Sequence, residues 1–523
     1  MSDLNHDIQP VFAGFFSILT QSVLLGALSS LAMPPYGYWW ALMIGLSGLY
    51  WLLLRSSNKK RAFLCGWGFG FGYFVFGLSW IGNALLVEGN DYAWAWPLAV
   101  VGLPLALAIF TGVGTLASWR FFNLQSVVGL LAMIGCMSLA EWLRGNLFTG
   151  FPWNLYGYTW FKHLEIIQVL RAWDVYFLSF LTMLWLLTPI FVLIKVKTGA
   201  RMLYTLVLLL LSLSTFGITL AYGHLKLKED RMFDQETIVK IVQPNIKQSE
   251  KWDPDKLDQH FVDQVQMSSA GGGQDSLEGR RTIIVWPETA LNYRVLQDPL
   301  SSIKLKSALQ SYAGNTFLLS GLLNYHPENH TYTNSLIAID QQGIVKSVYD
   351  KSHLVPFGEY IPFQKLIPLT PVAQFSGFVK GAGIEVVNLS DNLSYVPLIC
   401  YEIIFPGRIK EQHDADFIVN VTNDGWYGDS AGPHQHFVMA QYRAVETGIP
   451  VVRVANTGIS GTFDSYGRLV DKINLMEKKV ISISLPAAEE LFFPFWKNQP
   501  LVFPMLLLIL CSFGYFFRFW ALN

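Results

Sequence analysis

The 523-residue chain is unusually apolar, since 52% of its residues are hydrophobic and only 14% are charged. Soluble domains carry about 25% charged residues, so this composition indicates a membrane protein. The formal net charge is −1, and the sequence contains no clustered basic stretch. This excludes a nucleic-acid partner bound through the phosphate backbone.

Eight apolar segments approach the length of about 20 residues that a helix needs to cross a bilayer. They are 11–33, 38–54, 62–86, 93–118, 124–142, 174–194, 203–222 and 499–517. A long polar stretch, large enough for a domain with its own core, separates the last two. We therefore predict a membrane domain of seven helices over residues 1–222, a soluble domain over 223–495, and a final helix with a short tail over 496–523.

The basic residues predict the orientation of these spans. The first Lys or Arg is Arg55, so the N-terminus lacks the basic region of a cleavable signal peptide, and we expect a retained span. Lys and Arg then follow the second, fourth and sixth spans: Arg55, Lys59, Lys60, Arg61, Arg120, Lys195, Lys197 and Arg201. Because basic loops stay in the cytoplasm, we expect both termini there. In a bacterium the soluble domain then lies in the periplasm, attached to the inner membrane.

Cys400 is the only cysteine outside the apolar segments, which contain Cys65, Cys136 and Cys511. It ends a short apolar run, Val396–Cys400, with strand character. A free cysteine is often simply a small buried hydrophobic residue. An unpaired thiol in an oxidising compartment is at risk of oxidation, however, and its position at a strand end is typical of a nucleophile. The predicted topology therefore favours a chemical role.

The polar stretch alternates short β-rich runs with helical patterns, which predicts an α/β fold. The predicted strands are 238–243, 282–286, 317–323, 335–339, 344–349, 396–400, 417–422, 451–455, 461–464 and 480–485. The predicted helices are 254–268, 300–313 and 433–447. Residues 340–343 are predicted to form a hairpin turn, and Gly271–Asp275 a flexible insertion.

Three reactive side chains follow predicted strands: Glu288, Lys351 and Cys400. Reacting groups collect at such strand ends in α/β folds. Taken singly, Glu288 and Lys351 are more simply explained as solvated residues. Together with the thiol they supply a base, a cation and a nucleophile, which is a complete set for acyl transfer through a thioester.

Three motifs surround these residues: Trp286-Pro-Glu288, Tyr349-Asp-Lys351-Ser-His-Leu-Val-Pro-Phe-Gly-Glu359 and Ile399-Cys400-Tyr401-Glu402. They resemble the catalytic blocks of the nitrilase, or carbon-nitrogen hydrolase, superfamily. The long lysine motif and the flanking apolar segments resemble its membrane branch, the apolipoprotein N-acyltransferase family. Similar blocks surround Trp252, Trp153 and Asn423-Asp-Gly-Trp426.

The resemblance implies a periplasmic αββα sandwich carried by about eight spans. It also implies that Glu288, Lys351 and Cys400 are catalytic. Supporting or substrate-binding roles are implied for the remaining motif residues: Trp252, Glu359, Tyr401, Glu402 and Trp153. An interfacial anchor is the simpler explanation of Trp153.

The implied reaction moves an acyl chain from a phospholipid, phosphatidylethanolamine in most of the family, to a diacylglyceryl apolipoprotein. A thioester on Cys400 would divide this last step of bacterial lipoprotein maturation into two half-reactions. We expect a monomer, with no metal or other cofactor. The apolar loop segments 366–372 and 375–379 form either a lid that admits lipid or a loop packed on the domain's own core.

Two other functions compete with this hypothesis. A membrane-anchored amidase or nitrilase would use the same three residues with water as the acceptor. A transporter or receptor is disfavoured by the scarcity of charge within the spans.

Two other sequence patterns do not indicate a binding site. Glycines 66, 68, 70 and 72 favour helix packing rather than a phosphate loop, and His434 and His436 lack a third zinc ligand.

Overall fold

The computed structural model describes residues 4–198, 202–269, 280–362, 378–409, 414–489 and 501–520. The chain divides into two compact units. The first contains Met1–Ile81, Pro97–Lys228 and Phe493–Asn523, and the second contains Gly82–Trp96 and Glu229–Phe492. The second unit is therefore built from two separate stretches of the sequence.

The first unit is helical. Its helices are α1 Leu4–Ser30, α2 Trp39–Leu54, α3 Lys59–Leu78, α4 Leu103–Phe121, α5 Val127–Asn146, α6 Leu164–Ile167, α7 Val175–Thr198, α8 Met202–Lys226 and, near the C-terminus, α13 Val502–Trp520. In the described part of the chain, five segments are long and apolar enough to cross a membrane: Lys59–Leu86, Ala93–Phe121, Val127–Asn146, Val175–Ile194 and Met202–Lys226. The remaining apolar helical segments are shorter, namely Ser17–Ser30, Trp39–Leu54 and Phe503–Ser512.

The glycines of α3 pack this helix against its neighbours on two sides. A Cβ atom on Gly66 or Gly70 would collide with Thr111 of α4, whereas one on Gly68 or Gly72 would collide with α1. Small residues let helix backbones approach closely inside a membrane. The prediction of a packing role is confirmed, with one face for each neighbouring helix.

The second unit is a sandwich of two sheets. Its strands are β1 Phe233–Gln243, β2 Arg281–Val285, β3 Leu291–Asn292, β4 Thr316–His326, β5 Thr331–Asp340, β6 Val345–Asp350, β7 Val387–Ser390, β8 Leu393–Ile399, β9 Phe417–Thr422, β10 Val451–Ala455, β11 Ser460–Phe463, β12 Leu469–Ile473 and β13 Lys479–Pro486. One sheet has the order β13-β1-β2-β4-β5-β6, with β3 beside β4, and the other has the order β12-β11-β10-β9-β8-β7. The central pairs β1/β2, β2/β4, β8/β9 and β9/β10 are parallel.

Apolar side chains fill the space between the sheets. The main core combines Val239, Ile283 and Leu319 of the first sheet with Val419 and Val452 of the second. Strands β8, β9 and β10 are buried along their whole length, as expected when both faces of a sheet are covered.

Helices cover the outer faces of the two sheets. They are α9 Leu257–Ser269, α10 Tyr293–Gln297, α11 Pro299–Leu309 and α12 Ala431–Thr447. Phe261 of α9 and Leu305 of α11 pack on the outer face of the first sheet, whereas α12 packs against β10 and β11 of the second. The layers are helix, sheet, sheet and helix, so the predicted α/β sandwich is confirmed.

All ten predicted strands are present. Strands β3, β7 and β12 and helix α10 were not predicted. The hairpin turn is confirmed, because Gly343 N–H donates to Asp340 O at 2.9 Å. The predicted insertion Gly271–Asp275 and the lid segment Leu366–Val372 lie outside the described residues, and of the second lid segment only Phe378 and Val379 are described.

The segment Gly82–Trp96 precedes α4 in sequence but belongs to the sandwich unit. Asn83 Nδ2 donates to Tyr427 O at 2.8 Å, across 344 residues of sequence. This contact matters for the site because Tyr427 interacts electrostatically with Cys400.

Candidate active site

The ends of three strands carry the three predicted catalytic residues. Glu288 follows β2, Lys351 follows β6 directly, and Cys400 follows β8 directly. Lys351 Nζ lies 3.6 Å from Glu288 Oε1, and the charges of both groups act on the thiol of Cys400. The fold therefore brings together side chains that are up to 112 residues apart in sequence.

Lys351 is at the centre of a buried charge cluster. Its ammonium group donates to Glu359 Oε1 at 2.9 Å, and its side chain is 1% exposed. Asn334 Nδ2 donates to Glu288 Oε1 at 2.7 Å and to Glu359 Oε1 at 3.0 Å. One ammonium and one amide thus fix both carboxylates, and Glu359 lies in direct contact with Lys351.

Lys351 remains charged despite its burial. Burial lowers its pKa, but Glu359, Glu288 and Cys400 together outweigh burial and raise the pKa well above the usual lysine value. Lys351 is therefore a permanent cation that can stabilise negative charge without exchanging a proton.

Cys400 sits on a strained turn. Its φ angle is 51°, a left-handed conformation that is uncommon for a residue with a side chain. A short 3₁₀ helix, Cys400–Ile404, begins there, and Cys400 is 7% exposed. Strain at a reactive residue persists only where surrounding contacts enforce it. Two polar networks enforce it here.

The first network is centred on Glu402, which is 2% exposed. Its Oε1 accepts from the Tyr349 hydroxyl at 2.8 Å, from Ser352 N and Oγ at 2.8 Å each, and from His353 N at 3.1 Å. Its Oε2 accepts from Ile399 N at 2.8 Å. Glu402 thereby joins the loop after Lys351 to the turn that carries the thiol, and its role is to hold the two together.

The second network lies behind the carbonyl group of Cys400. His436 Nε2 donates to Cys400 O at 3.2 Å. His436 Nδ1 lies 2.9 Å from Asp424 Oδ1, and Arg453 donates to Asp424 Oδ2 at 2.8 Å. Burial raises the pKa of Asp424, but Arg453 and His436 outweigh it and hold the pKa at about 2. Asp424 is therefore a carboxylate, and the network anchors the turn from the side of β9 and α12.

The thiol itself is not ionised at rest. Burial and then the negative charge of Glu288 raise the pKa of Cys400 to about 12, although Lys351 opposes them. The charge of Lys351 favours the thiolate, but burial has the larger effect on the pKa. Since the thiolate is the nucleophilic form, a reaction at this thiol would need a base, and Glu288 is the carboxylate whose charge acts most strongly on the thiol.

Lys251 is a buried cation that sequence reasoning missed. It is 6% exposed, and its ammonium donates to Glu288 O at 2.9 Å and to Thr289 Oγ1 at 2.7 Å. Lys251 directly precedes Trp252. Its place in the block around Trp252 is the sequence feature that could have indicated a role at the site. Trp252 is half-buried and lines a cavity together with Lys251 and Glu288.

The remaining predicted residues occupy different places. Tyr401 is 4% exposed and stacks on His353, with ring centroids 5.7 Å apart. Trp153 belongs to the first unit, is 1% exposed, and packs on Trp80 at 4.9 Å. The described contacts of Trp153 are those of an internal packing residue rather than of an exposed anchor.

Known families match both parts of this chain. A model described as the apolipoprotein N-acyltransferase N-terminal domain matches residues 25–188, and the carbon-nitrogen hydrolase model matches residues 241–489. The sandwich and its cysteine turn therefore form a carbon-nitrogen hydrolase domain.

Relatives that match most of this chain identify a family within this class of proteins. The apolipoprotein N-acyltransferase of Allorhizobium ampelinum is 37% identical over 89% of this chain and 89% of its own. That of Agrobacterium fabrum is 35% identical over 95% of this chain and 96% of its own, and that of Rhodopseudomonas palustris is 36% identical over 89% of each. The chain belongs to the apolipoprotein N-acyltransferase family, which confirms the resemblance predicted from its motifs.

Proposed function

We propose that this protein transfers an acyl chain from a membrane phospholipid to the α-amino group of the S-diacylglyceryl cysteine that begins an apolipoprotein. The observation that carries the proposal is the strained Cys400 turn beside the buried Lys351, Glu288 and Glu359 cluster. Relatives that bear the name apolipoprotein N-acyltransferase over most of their length support the choice of acceptor.

In the first half-reaction, Glu288 takes the proton from Cys400 Sγ as the sulfur attacks the ester carbonyl carbon of the phospholipid. The ammonium of Lys351 stabilises the oxyanion of the tetrahedral intermediate. The S–C bond forms, the ester C–O bond breaks, and the proton held by Glu288 passes to the leaving alkoxide, which departs as lysophospholipid. A preformed charge of this kind contributes on the order of 3 kcal/mol to acyl transfer.

In the second half-reaction, the α-amine of the apolipoprotein attacks the thioester carbonyl. Glu288 accepts a proton from the attacking nitrogen, and the C–S bond breaks as the amide forms. Cys400 recovers its proton from Glu288, so the enzyme returns to its starting state. The sequence of two half-reactions is a ping-pong mechanism.

The site is proposed to work at the outer surface of the bacterial inner membrane. The basic loops after the second, fourth and sixth predicted spans support a periplasmic sandwich and cytoplasmic termini. The five long apolar helices support an integral membrane domain. On this basis residues 1–222, apart from the segment Gly82–Trp96, and residues 496–523 anchor the enzyme, and residues 223–495 carry the chemistry. The resemblance of the motifs supports phosphatidylethanolamine as the donor, and we propose that the enzyme acts as a monomer.

Mass spectrometry of the purified protein tests the chemistry. Incubation with phosphatidylethanolamine of defined acyl chains should add the mass of one acyl chain to Cys400, sensitive to hydroxylamine. Addition of a diacylglyceryl lipopeptide should then discharge the enzyme and produce an N-acylated peptide. Cys400→Ala should give neither product, whereas Cys65→Ala, which removes a buried thiol of the other unit, should give both.

The acceptor distinguishes this function from that of an amidase. An acyl-enzyme that persists in buffer and is discharged only by the amine supports the proposal. Rapid discharge by water alone, with no N-acylated peptide, contradicts it.

A further inference from the structure

Lys251 is a buried lysine that the proposed steps do not use. Lysine is almost never buried unless it is paired. Here the two hydrogen-bond acceptors of the ammonium belong to Glu288 and to the residue that follows it, and the ring of Trp252 lies 5.8 Å away. The ammonium donates to the main-chain carbonyl of Glu288 and to the hydroxyl of Thr289. Its placement therefore requires an explanation at the active site.

The main chain that Lys251 holds is strained. Thr289 has a φ angle of 48°, and it follows Glu288 directly. Gly321 of β4 lies so close to this turn that a Cβ atom there would collide with Thr289 N, Glu288 Cα and Pro287 O. The turn therefore packs directly against Gly321 of strand β4 and is also hydrogen-bonded to the ammonium of Lys251.

Lys251 also balances charge. The two carboxylates of Glu288 and Glu359 face the permanent cation of Lys351, which leaves a formal charge of −1 for the three groups. The ammonium of Lys251 interacts electrostatically with both Glu288 and Cys400. With Lys251 included, the cluster is neutral before negative charge develops on the thiol sulfur.

We propose that Lys251 is a positioning residue for the acylation half-reaction. Its ammonium fixes the main chain that aims the Glu288 carboxylate at the thiol, and it offsets the negative charge that develops as Cys400 is acylated. Lys251 exchanges no proton in this step: the Sγ proton passes to Glu288, and the new bond joins Sγ to the ester carbonyl carbon. The inference rests on the proposed function.

The charge on Lys251 depends on pH within a measurable range. Burial lowers its pKa to about 8, although Glu288 and Cys400 oppose this. The titratable groups that face it are these two, and the adjoining cavity adds His260. The pKa of His260 is lowered by burial from 6.5, the pKa of Cys400 is about 12, and Lys351 stays protonated. A loss of acylation as pH rises through about 8 is therefore assigned to Lys251.

Single-turnover formation of the Cys400 thioester between pH 6 and pH 10 tests this role. The wild type should lose rate above about pH 8. Lys251→Met keeps the length of the side chain without the charge, and should lower the rate at pH 7 by roughly 10- to 100-fold, as misaligned catalytic groups do, with no further decline at pH 8. Lys251→Arg, whose charge persists, should also lack the decline and should exceed the rate of Lys251→Met.

Lys256→Met provides the matched control, because Lys256 lies in the same segment, is 45% exposed and pairs with Glu250 at 3.3 Å. It should behave as the wild type. A Lys251→Met variant with the wild-type rate, or with the wild-type decline above pH 8, would overturn the inference. If the wild type itself formed no thioester, the proposed function would fail instead, so the two failures are distinguishable.

Discussion

Replacing Glu402 by Gln tests whether this residue holds the active-site turn together. The carboxylate accepts five hydrogen bonds from donor groups of four residues: Tyr349 at the end of β6, Ser352 and His353 in the loop that follows, and Ile399 at the end of β8. An amide offers one oxygen instead of two. If that oxygen stays with the four donors on the side of Ser352, the NH₂ group faces the N–H of Ile399, and two donors oppose each other.

The loss in the free energy of unfolding of Glu402→Gln follows from these contacts. Leaving the buried N–H of Ile399 without an acceptor costs about 1–3 kcal/mol. The four remaining bonds lose their charged acceptor, while the neutral amide is easier to bury than a carboxylate. We expect a net loss of about 2–4 kcal/mol in the free energy of unfolding, from the cost of an unpaired buried donor and weakened bonds. At about 2–4 °C per kcal/mol for a unit of this size, the thermal midpoint falls by roughly 5–15 °C.

Thermal unfolding in detergent, followed by intrinsic fluorescence, measures this change, and thioester formation on Cys400 measures its effect on the site. Glu385→Gln is the control, because Glu385 is exposed in the same unit. The Glu402→Gln protein should acylate more slowly even well below its midpoint, since the turn and the lysine loop separate. An unchanged midpoint together with a wild-type acylation rate would refute the reasoning.

Two further predictions concern ionisation. Because the pKa of Cys400 is about 12, the rate of its alkylation by iodoacetamide, followed by peptide mass spectrometry, should not reach a plateau between pH 6 and pH 10. A rise to a plateau with its midpoint near pH 7 would contradict a protonated resting thiol. Asp424→Asn leaves Arg453 as a buried unpaired charge and should lower the free energy of unfolding by about 3–5 kcal/mol, whereas Asp429→Asn, at an exposed position, should not. The Asp424 carboxylate has a pKa of about 2 against an ordinary 3.8, so it contributes about 2 kcal/mol above pH 4. That contribution is lost as pH falls toward 2, and acid unfolding of Asp424→Asn should lack this component.

The sequence predicted the central strands that are buried along their whole length, and also β6 and β13, the partly exposed edge strands of the first sheet. The three strands that it missed are short. Strands β7 and β12 form the two edges of the second sheet. Residues such as Asn388 and Asp471 face solvent there, so neither strand has the continuous apolar run of a central strand. Strand β3 has only two residues and leaves no periodic pattern.

Some residues of the candidate active site could be predicted from the sequence, and others could not. Glu288, Lys351 and Cys400 each follow a recognisable strand, so their convergence could be predicted from the sequence. The burial of Lys251 could not be predicted, because a lysine between Glu250 and Trp252 is ordinarily solvated. Its burial depends on the path of the connection between β1 and α9. Asn334 lies in β5, in a run of residues that are all buried, where the register alone decides which side chains point toward the carboxylates.

The discontinuity of the sandwich unit bears on how the protein folds as it is made. Gly82–Trp96 leaves the ribosome long before residues 229–492, yet Asn83 is bonded to Tyr427. Domains usually fold as continuous stretches during synthesis, and a contact across 344 residues forms late because of its large loop-closure entropy. A fragment that starts at residue 229 would therefore lack the segment Gly82–Trp96 of the sandwich unit. The catalytic domain becomes complete only after its C-terminal part has met a loop that was synthesised among the first membrane helices.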